Sequence, residues 1–307
     1  MIKPEGSWVA IPTPFTEEDE VDFGGFQTLV DFQVQHGTDG LLLMGSTGES
    51  PSLTMDERRE ILDRVLPYAK DKIPILAGTT CGNTRQTIEL SQHAQQAGAD
   101  GLLLVVPPYL KPTQDGLYEH FKAVAQAVDI PVAIYNNPGR VGVNIDPPTV
   151  VELSKISNIV ADKEAMGNIG QLVRIRREIG EKINLLCCDA PAFSLIIPTL
   201  ALGGHGTANI SGNVIPEEMA ELSRPWRSWG DVQRTRELLF TYFPLMSTLY
   251  SLSNPIVVKA AMRLLGLPAG HVRSPLLDMG DDETMALKDL LDTVGVTEKY
   301  GHVGGAI

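Results

Sequence analysis

The chain has 307 residues, 43% of them hydrophobic and 21% charged, and carries a net charge of −13. That composition supplies a substantial core and removes disorder as the default, while the acidic balance argues against nucleic acid or an anionic membrane as a partner. No apolar run reaches the roughly 18 residues of a membrane span, the stretch MIKPEGSWVAIPTPF lacks the apolar region of a signal peptide, and Cys81, Cys187 and Cys188 have no metal-type spacing, so a cytoplasmic protein with reduced thiols is expected.

Strands are expected at 7–11, 40–45, 73–78, 101–106, 131–135, 158–163, 184–188 and 205–210. Several are apolar at nearly every position, the pattern of parallel strands covered on both faces. Amphipathic helices are expected between them, at 22–36, 55–70, 84–98, 115–128, 147–156, 168–180 and 190–202, with another from 216. Thr54-Met-Asp-Glu57 has the pattern of a capping box. Strands that each precede a helix predict an α/β fold, a closed (β/α)8 TIM barrel, with an open doubly wound sheet as the alternative. One internal echo fits this: Gly37-Thr-Asp-Gly-Leu-Leu-Leu43 recurs as Gly98-Ala-Asp-Gly-Leu-Leu-Leu104, a spacing of two βα units at about 30 residues each. Beyond residue 222 the strand pattern stops. Helices are expected at 229–250, from Asn254 (as N-cap, with Pro255 at N1) to Gly266, and at 282–294. The chain thus divides into a barrel domain, 1–222, and a C-terminal helical region, 223–307.

In such a barrel the reactive groups gather at the C-terminal ends of the strands. Strand 2 delivers Gly45-Ser46-Thr47-Gly48-Glu49, whose hydroxyls and free amides suit a small anion or simply form a βα turn. Strand 4 delivers Tyr109; strand 5 delivers Tyr135 and Arg140, which could equally be a core aromatic and a solvated charge. Strand 6 ends on Lys163, which shares strand parity with Ile159 and Ala161 and would face the interior. Burial favours its neutral amine, a nucleophile toward carbonyls; the alternatives are that it reaches solvent or pairs with Asp162 or Glu164.

The motifs GSTGES (45–50), YNNPGRVG (135–142), KEAMGN (163–168), GGHG (203–206) and NPIVVKAAM (254–262) resemble those of the dihydrodipicolinate synthase/N-acetylneuraminate lyase family of Schiff-base aldolases and lyases. The resemblance runs from about Val9 to Leu277. It implies a lyase in which Lys163 forms an imine with pyruvate, Tyr135 shuttles protons, and Ser46 and Thr47 hold the pyruvate carboxylate and relay a proton. It also implies substrate contacts at Gly48, Tyr109 and Ala208, and at Arg140 a grip on the carboxylate of a small aldehyde, aspartate semialdehyde in the synthases. Aldolases or dehydratases of 2-keto-3-deoxy sugar acids and a catalytically silent homologue are the alternatives within this resemblance. No cofactor or metal is implied, and the six histidines, His36, His93, His120, His205, His271 and His302, have no ligand spacing. A homotetramer or homodimer is expected. Three positions depart from the synthase pattern: Leu110 stands where a second tyrosine is usual, Cys188 in place of glycine, and Ala208 in place of a larger aliphatic residue. Lysine-inhibited synthases carry histidine and asparagine at the positions of Met55, Arg58 and Gly82, so weak or absent lysine inhibition is expected.

Overall fold

The computed structural model describes residues 2–301; His302 lies outside them. Eight short strands, β1 (Gly6–Ala10), β2 (Gly40–Leu43), β3 (Ile75–Gly78), β4 (Gly101–Val105), β5 (Val132–Asn136), β6 (Ile159–Glu164), β7 (Asn184–Cys187) and β8 (Gly206–Asn209), pair in parallel and in sequence order, and β1 closes on β8. Closure leaves no edge strand unpaired. The TIM barrel is therefore present, and the open sheet is not.

The Gly-x-Asp-Gly echo is a joint at the N-terminal ends of the strands. Asp39, just before β2, accepts a hydrogen bond from the Ser7 amide of β1 (2.8 Å), and Asp100, just before β4, accepts one from the Ile75 amide of β3 (2.8 Å). The following glycine is required in both copies by packing. A Cβ on Gly40 would lie 2.5 Å from the Trp8 ring, and one on Gly101 would lie 2.7 Å from Leu76.

Around the barrel run α1 (Phe23–Gln35), α2 (Met55–Ala69), α3 (Thr84–Ala97), α4 (Gln114–Gln126), the single turn α5 (Pro138–Val141), α6 (Pro147–Leu153), α7 (Ile169–Ile179), α8 (Ile196–Ala201) and α9 (Pro216–Leu222). Thr54 and Glu57 form the expected capping box at the start of α2. The helix expected at 190–202 is broken into a 3-10 turn at Pro191–Phe193 and the short α8. Ser194 between them is left-handed (φ 52°), which no helix can continue through. The C-terminal helices are α10 (Trp229–Leu249), α11 (Ile256–Leu264), α12 (Asp281–Thr293) and α13 (Val296–Tyr300).

The C-terminal helices are fastened to the barrel mouth by charge. Lys259 of α11 and Glu49, at the end of the β2 turn, are both buried and meet at 2.7 Å. Lys259 also donates to the carbonyl of His271, and the second Glu49 oxygen accepts from the Arg273 amide at 2.9 Å. The Arg273 guanidinium in turn pairs with Glu57 at 2.6 Å and Asp19 at 3.1 Å. Glu49→Ala, which strands the Lys259 ammonium without its anion, is expected to lower the unfolding free energy by ~3–5 kcal/mol, and the apolar double replacement Glu49→Leu/Lys259→Met by much less. Urea titration of the two variants measures the difference.

Candidate active site

Strands β5 and β6 pair so that Tyr135 stands opposite Lys163 and Asn136 opposite Glu164. The register slips by one residue between Val132 and Ala133 on β5, so the inward alternation holds from Ala161 to Lys163, while Ile159 lies beyond the irregularity. Lys163 is 6% exposed, and its Nζ sits 4.2 Å from the centroid of the Tyr135 ring. Neither neighbouring carboxylate reaches it. Glu164 faces the helical layer, accepting from Asn136, from Gln171 of α7 and from the Met166 amide. Asp162 is fully buried and its oxygens have no hydrogen-bond partner. Burial pushes the pKa of Asp162 up, with Glu164 adding to the effect, and burial also raises Glu164.

Among the described residues Lys163 Nζ makes no hydrogen bond or ion pair, whereas the other buried lysine, Lys259, is held by Glu49. Desolvation lowers the Lys163 pKa from an ordinary value near 10.5 to about 8, so a useful fraction of free amine exists near neutrality. Tyr135 is the complement: burial raises its phenol to about 12, and its oxygen accepts from Asn137 Nδ2 at 2.7 Å. A nucleophilic amine and a protonated phenol therefore stand side by side.

Above them are two connected spaces. The inner one, about 30 Å³, is lined by Lys163, Tyr135, Ser46, Thr47, Cys188 and Ala208, with Leu103, Tyr250 and Asn254 among the others; the outer one, about 560 Å³, shares Ser46, Tyr135 and Asn254 and reaches Arg140, Arg58 and Met55. The turn between β2 and α2 is tight. Met44 and Glu49 are left-handed (φ 54° and 51°), which ends β2 earlier than expected and turns Ser46 and Thr47 inward. Gly48 lies on neither lining. A Cβ there would come 2.9 Å from Met44 Cα, and its carbonyl accepts from Thr13 Oγ1 at 2.7 Å, so it holds the turn closed. Arg140 is exposed at the outer space and donates to the carbonyl of Asn254 at 3.2 Å. Tyr109 is 93% exposed and lines neither space, and Leu110 beside it is 63% exposed.

Asn254, expected as a helix N-cap, is instead part of the site. The α11 helix begins at Ile256 with no side-chain cap, and Asn254 Nδ2 donates to Thr47 Oγ1 at 2.9 Å. Thr47 and Tyr135 share no direct hydrogen bond among the described residues. Sequence reading also missed Thr13, Asp189 and Tyr250, and nothing in local pattern marks them. Asn137 and Asn254 did carry a signal, since they lie in the motifs 135–142 and 254–262.

The family model for the dihydrodipicolinate synthetase family matches residues 3–294. The chain belongs to that family. The 4-hydroxy-tetrahydrodipicolinate synthase of Aquifex aeolicus is 42% identical over 288 residues, 94% of this chain and 96% of the relative. Synthase 1 of Halalkalibacterium halodurans is 40% identical over 279 residues, 91% and 93% of the two chains. The crystal structure of dihydrodipicolinate synthase from Aquifex aeolicus superposes with a TM-score of 0.90, at 40% identity, over 96% of this chain and 99% of that one. That of the chloride-inhibited synthase from Acinetobacter baumannii complexed with pyruvate does so at 0.88 and 34%, over 95% and 99%. Like the rest of the family, the chain is a class I, pyruvate-dependent lyase. No helix among the described residues is long and apolar enough to cross a membrane.

An unpaired, desolvated amine is a cost to the fold. The downward displacement of the Lys163 pKa, from near 10.5 to about 8, corresponds to ~3 kcal/mol at neutral pH. Because the folded-state value lies below the unfolded one, the unfolded chain holds more protons between those pH values; the cost is full below pH 8 and fades as pH rises toward 10.5. Lys163→Met is therefore expected to stabilise the protein at pH 7 by up to ~3 kcal/mol and by little at pH 10, as urea titrations at the two pH values would show.

Proposed function

We propose that this family member works as a 4-hydroxy-tetrahydrodipicolinate synthase in which Lys163, Tyr135, Ser46 and Thr47 carry the pyruvate half-reaction and Arg140 receives the aldehyde. The observation that supports it most is Lys163, buried against the Tyr135 ring with no anion bonded to it, where desolvation lowers its pKa to about 8. The neutral amine attacks the C2 carbonyl of pyruvate, and the carbinolamine loses water as Tyr135 supplies a proton to the departing hydroxide. The protonated imine draws electrons from the adjacent methyl group, so a C3 proton passes to the Tyr135 phenolate left by the previous step and an enamine forms. Its carbon adds to the aldehyde of aspartate semialdehyde.

The inner space supports this division of labour. It offers a small pocket bounded by the hydroxyls of the β2 turn, while the outer space, about 560 Å³ with Arg140 at its wall, falls in the range of small-molecule sites and gives the second carboxylate a cationic partner. The reaction needs no cofactor beyond the Lys163 imine. Three free, buried thiols support a reducing, cytoplasmic setting. The exposed apolar residues Ile169, Val173 and Ile197 on α7 and α8 support assembly into a homodimer or homotetramer. One observation favours a sugar-acid aldolase instead: Leu110 offers no phenol where synthases use one.

Incubation with pyruvate and borohydride should leave a reduced pyruvyl adduct on Lys163 by intact mass and peptide mapping, and none in Lys163→Ala. An aldehyde panel then names the reaction, with turnover of aspartate semialdehyde expected and turnover only of sugar-derived aldehydes counting against the synthase. Lysine inhibition is expected to be weak. Arg58, buried at the outer space and bonded to the Gly78 and Thr80 carbonyls, presents a cation where the effector's own cations would have to settle. Half-inhibition at sub-millimolar lysine would overturn this.

A further inference from the structure

The protonated imine is a fixed positive charge in a desolvated pocket. Pyruvate brings its own carboxylate, but before it binds no carboxylate among the described residues is bonded to Lys163. A protein anion close by would favour the charged form of the amine and of the imine. Lys163 Nζ lies against the Tyr135 ring of β5 and lines a cavity with Cys188, just past β7, while Arg140 of α5, Cys187 and Asp189 are near enough to act on it electrostatically. Tyr250, at the end of α10, lines the same cavity. Asp162 and Glu164 flank Lys163 in sequence on the opposite face. Burial holds both thiols above their ordinary range, Cys187 at about 12 and Cys188 still further up, so neither supplies charge near neutrality. Asp189 remains. It is 1% exposed and takes hydrogen bonds from the Ile210 amide (3.2 Å), the Ser211 amide (2.9 Å), Ser211 Oγ (2.5 Å) and Tyr250 Oη (2.5 Å). The two amides can only donate, which is how a carboxylate anion is held.

We propose that Asp189 is the counter-ion of the Lys163 imine and that Tyr250, by hydrogen-bonding to it, sets how much of that charge the imine feels. Both are positioning residues. The inference rests on the reading of Lys163 as the imine-forming amine. Asp189 follows Cys188 directly, so it is carried by the strand that borders β6, while Tyr250 arrives from the C-terminal helices. Burial raises the Tyr250 phenol, as does the Asp189 charge, so it stays protonated and remains a donor.

The two residues act with opposite sign. Asp189→Asn removes the anion, which eases deprotonation of Lys163 and weakens the protonated imine. The acid limb of kcat/KM for pyruvate should then move down by about one pH unit, with kcat falling roughly tenfold. Tyr250→Phe leaves the anion in place with one donor fewer, and the same limb should move up. The experiment is the pH profile of steady-state turnover and of borohydride trapping for full-length wild type and both variants, each checked for folding by circular dichroism. Midpoints that shift in opposite directions support the inference. Unchanged midpoints, or shifts in the same direction, in variants whose wild-type parent traps pyruvate overturn it and leave the Lys163 reading intact. Failure of the wild type itself to trap pyruvate overturns both. If Asp189→Asn does not fold, Tyr250→Phe is read alone: an upward shift of the midpoint supports the inference, and an unchanged or lowered midpoint overturns it.

Discussion

The site depends on keeping one amine out of water and out of reach of any bonded anion. Lys163 is the penultimate residue of a strand that is buried along its whole length, and closure of the barrel puts that end between β5 and β7. A lysine on an open sheet edge would carry its charge into solvent and hold a proton at neutral pH. Here the neighbouring strands remove the water, and the pKa falls for that reason. The same enclosure raises the Tyr135 phenol, so a single physical cause, desolvation, moves both groups toward their neutral forms, a nucleophilic amine and a phenol that keeps its proton.

Two buried lysines show what the fold can do with the same residue. Lys259 has a buried carboxylate at contact distance, a backbone carbonyl and the Phe15 ring. Burial lowers its pKa and Glu49 pulls it back; it serves as a fastener. Lys163 keeps an aromatic ring as its neighbour, and its amine stays unbonded. Glu49 belongs to both stories, since it closes the β2 turn that carries Ser46 and Thr47 and anchors α11. Through that anchor the C-terminal helices reach the barrel mouth, where Asn254 bonds to Thr47 and to Arg140, and Tyr250 bonds to Asp189. The helical region therefore completes the site.

Much of this was legible along the chain because it is local. Strands that are apolar at every position, the Thr54–Glu57 box and the Gly-x-Asp-Gly echo are each decided within a few residues, and the barrel follows from their alternation. The break at Ser194 and the early end of β2 at Met44 were not legible. Both turn on a non-glycine residue held left-handed, a conformation that such residues rarely adopt and that tertiary contacts must enforce. Tyr109 was expected at the substrate but projects into solvent, and Gly48 serves the turn rather than lining the pocket.

By itself the sequence determined the (β/α)8 alternation, the position of Lys163 at a strand end, and the family motifs with Tyr135, Ser46, Thr47 and Arg140 among them. These reside in periodicity and short runs, which a chain displays without being folded. Tertiary structure decided the rest. It set how far Lys163 is desolvated, paired Lys259 with Glu49 across 210 residues of chain, moved Asn254 from a helix cap to a partner of Thr47, and put Tyr250, bonded to Asp189, on the wall of the cavity that Lys163 lines. Charge, burial and hydrogen bonding between distant residues are properties of positions in space, and only closure of the barrel and docking of the C-terminal helices bring those positions together.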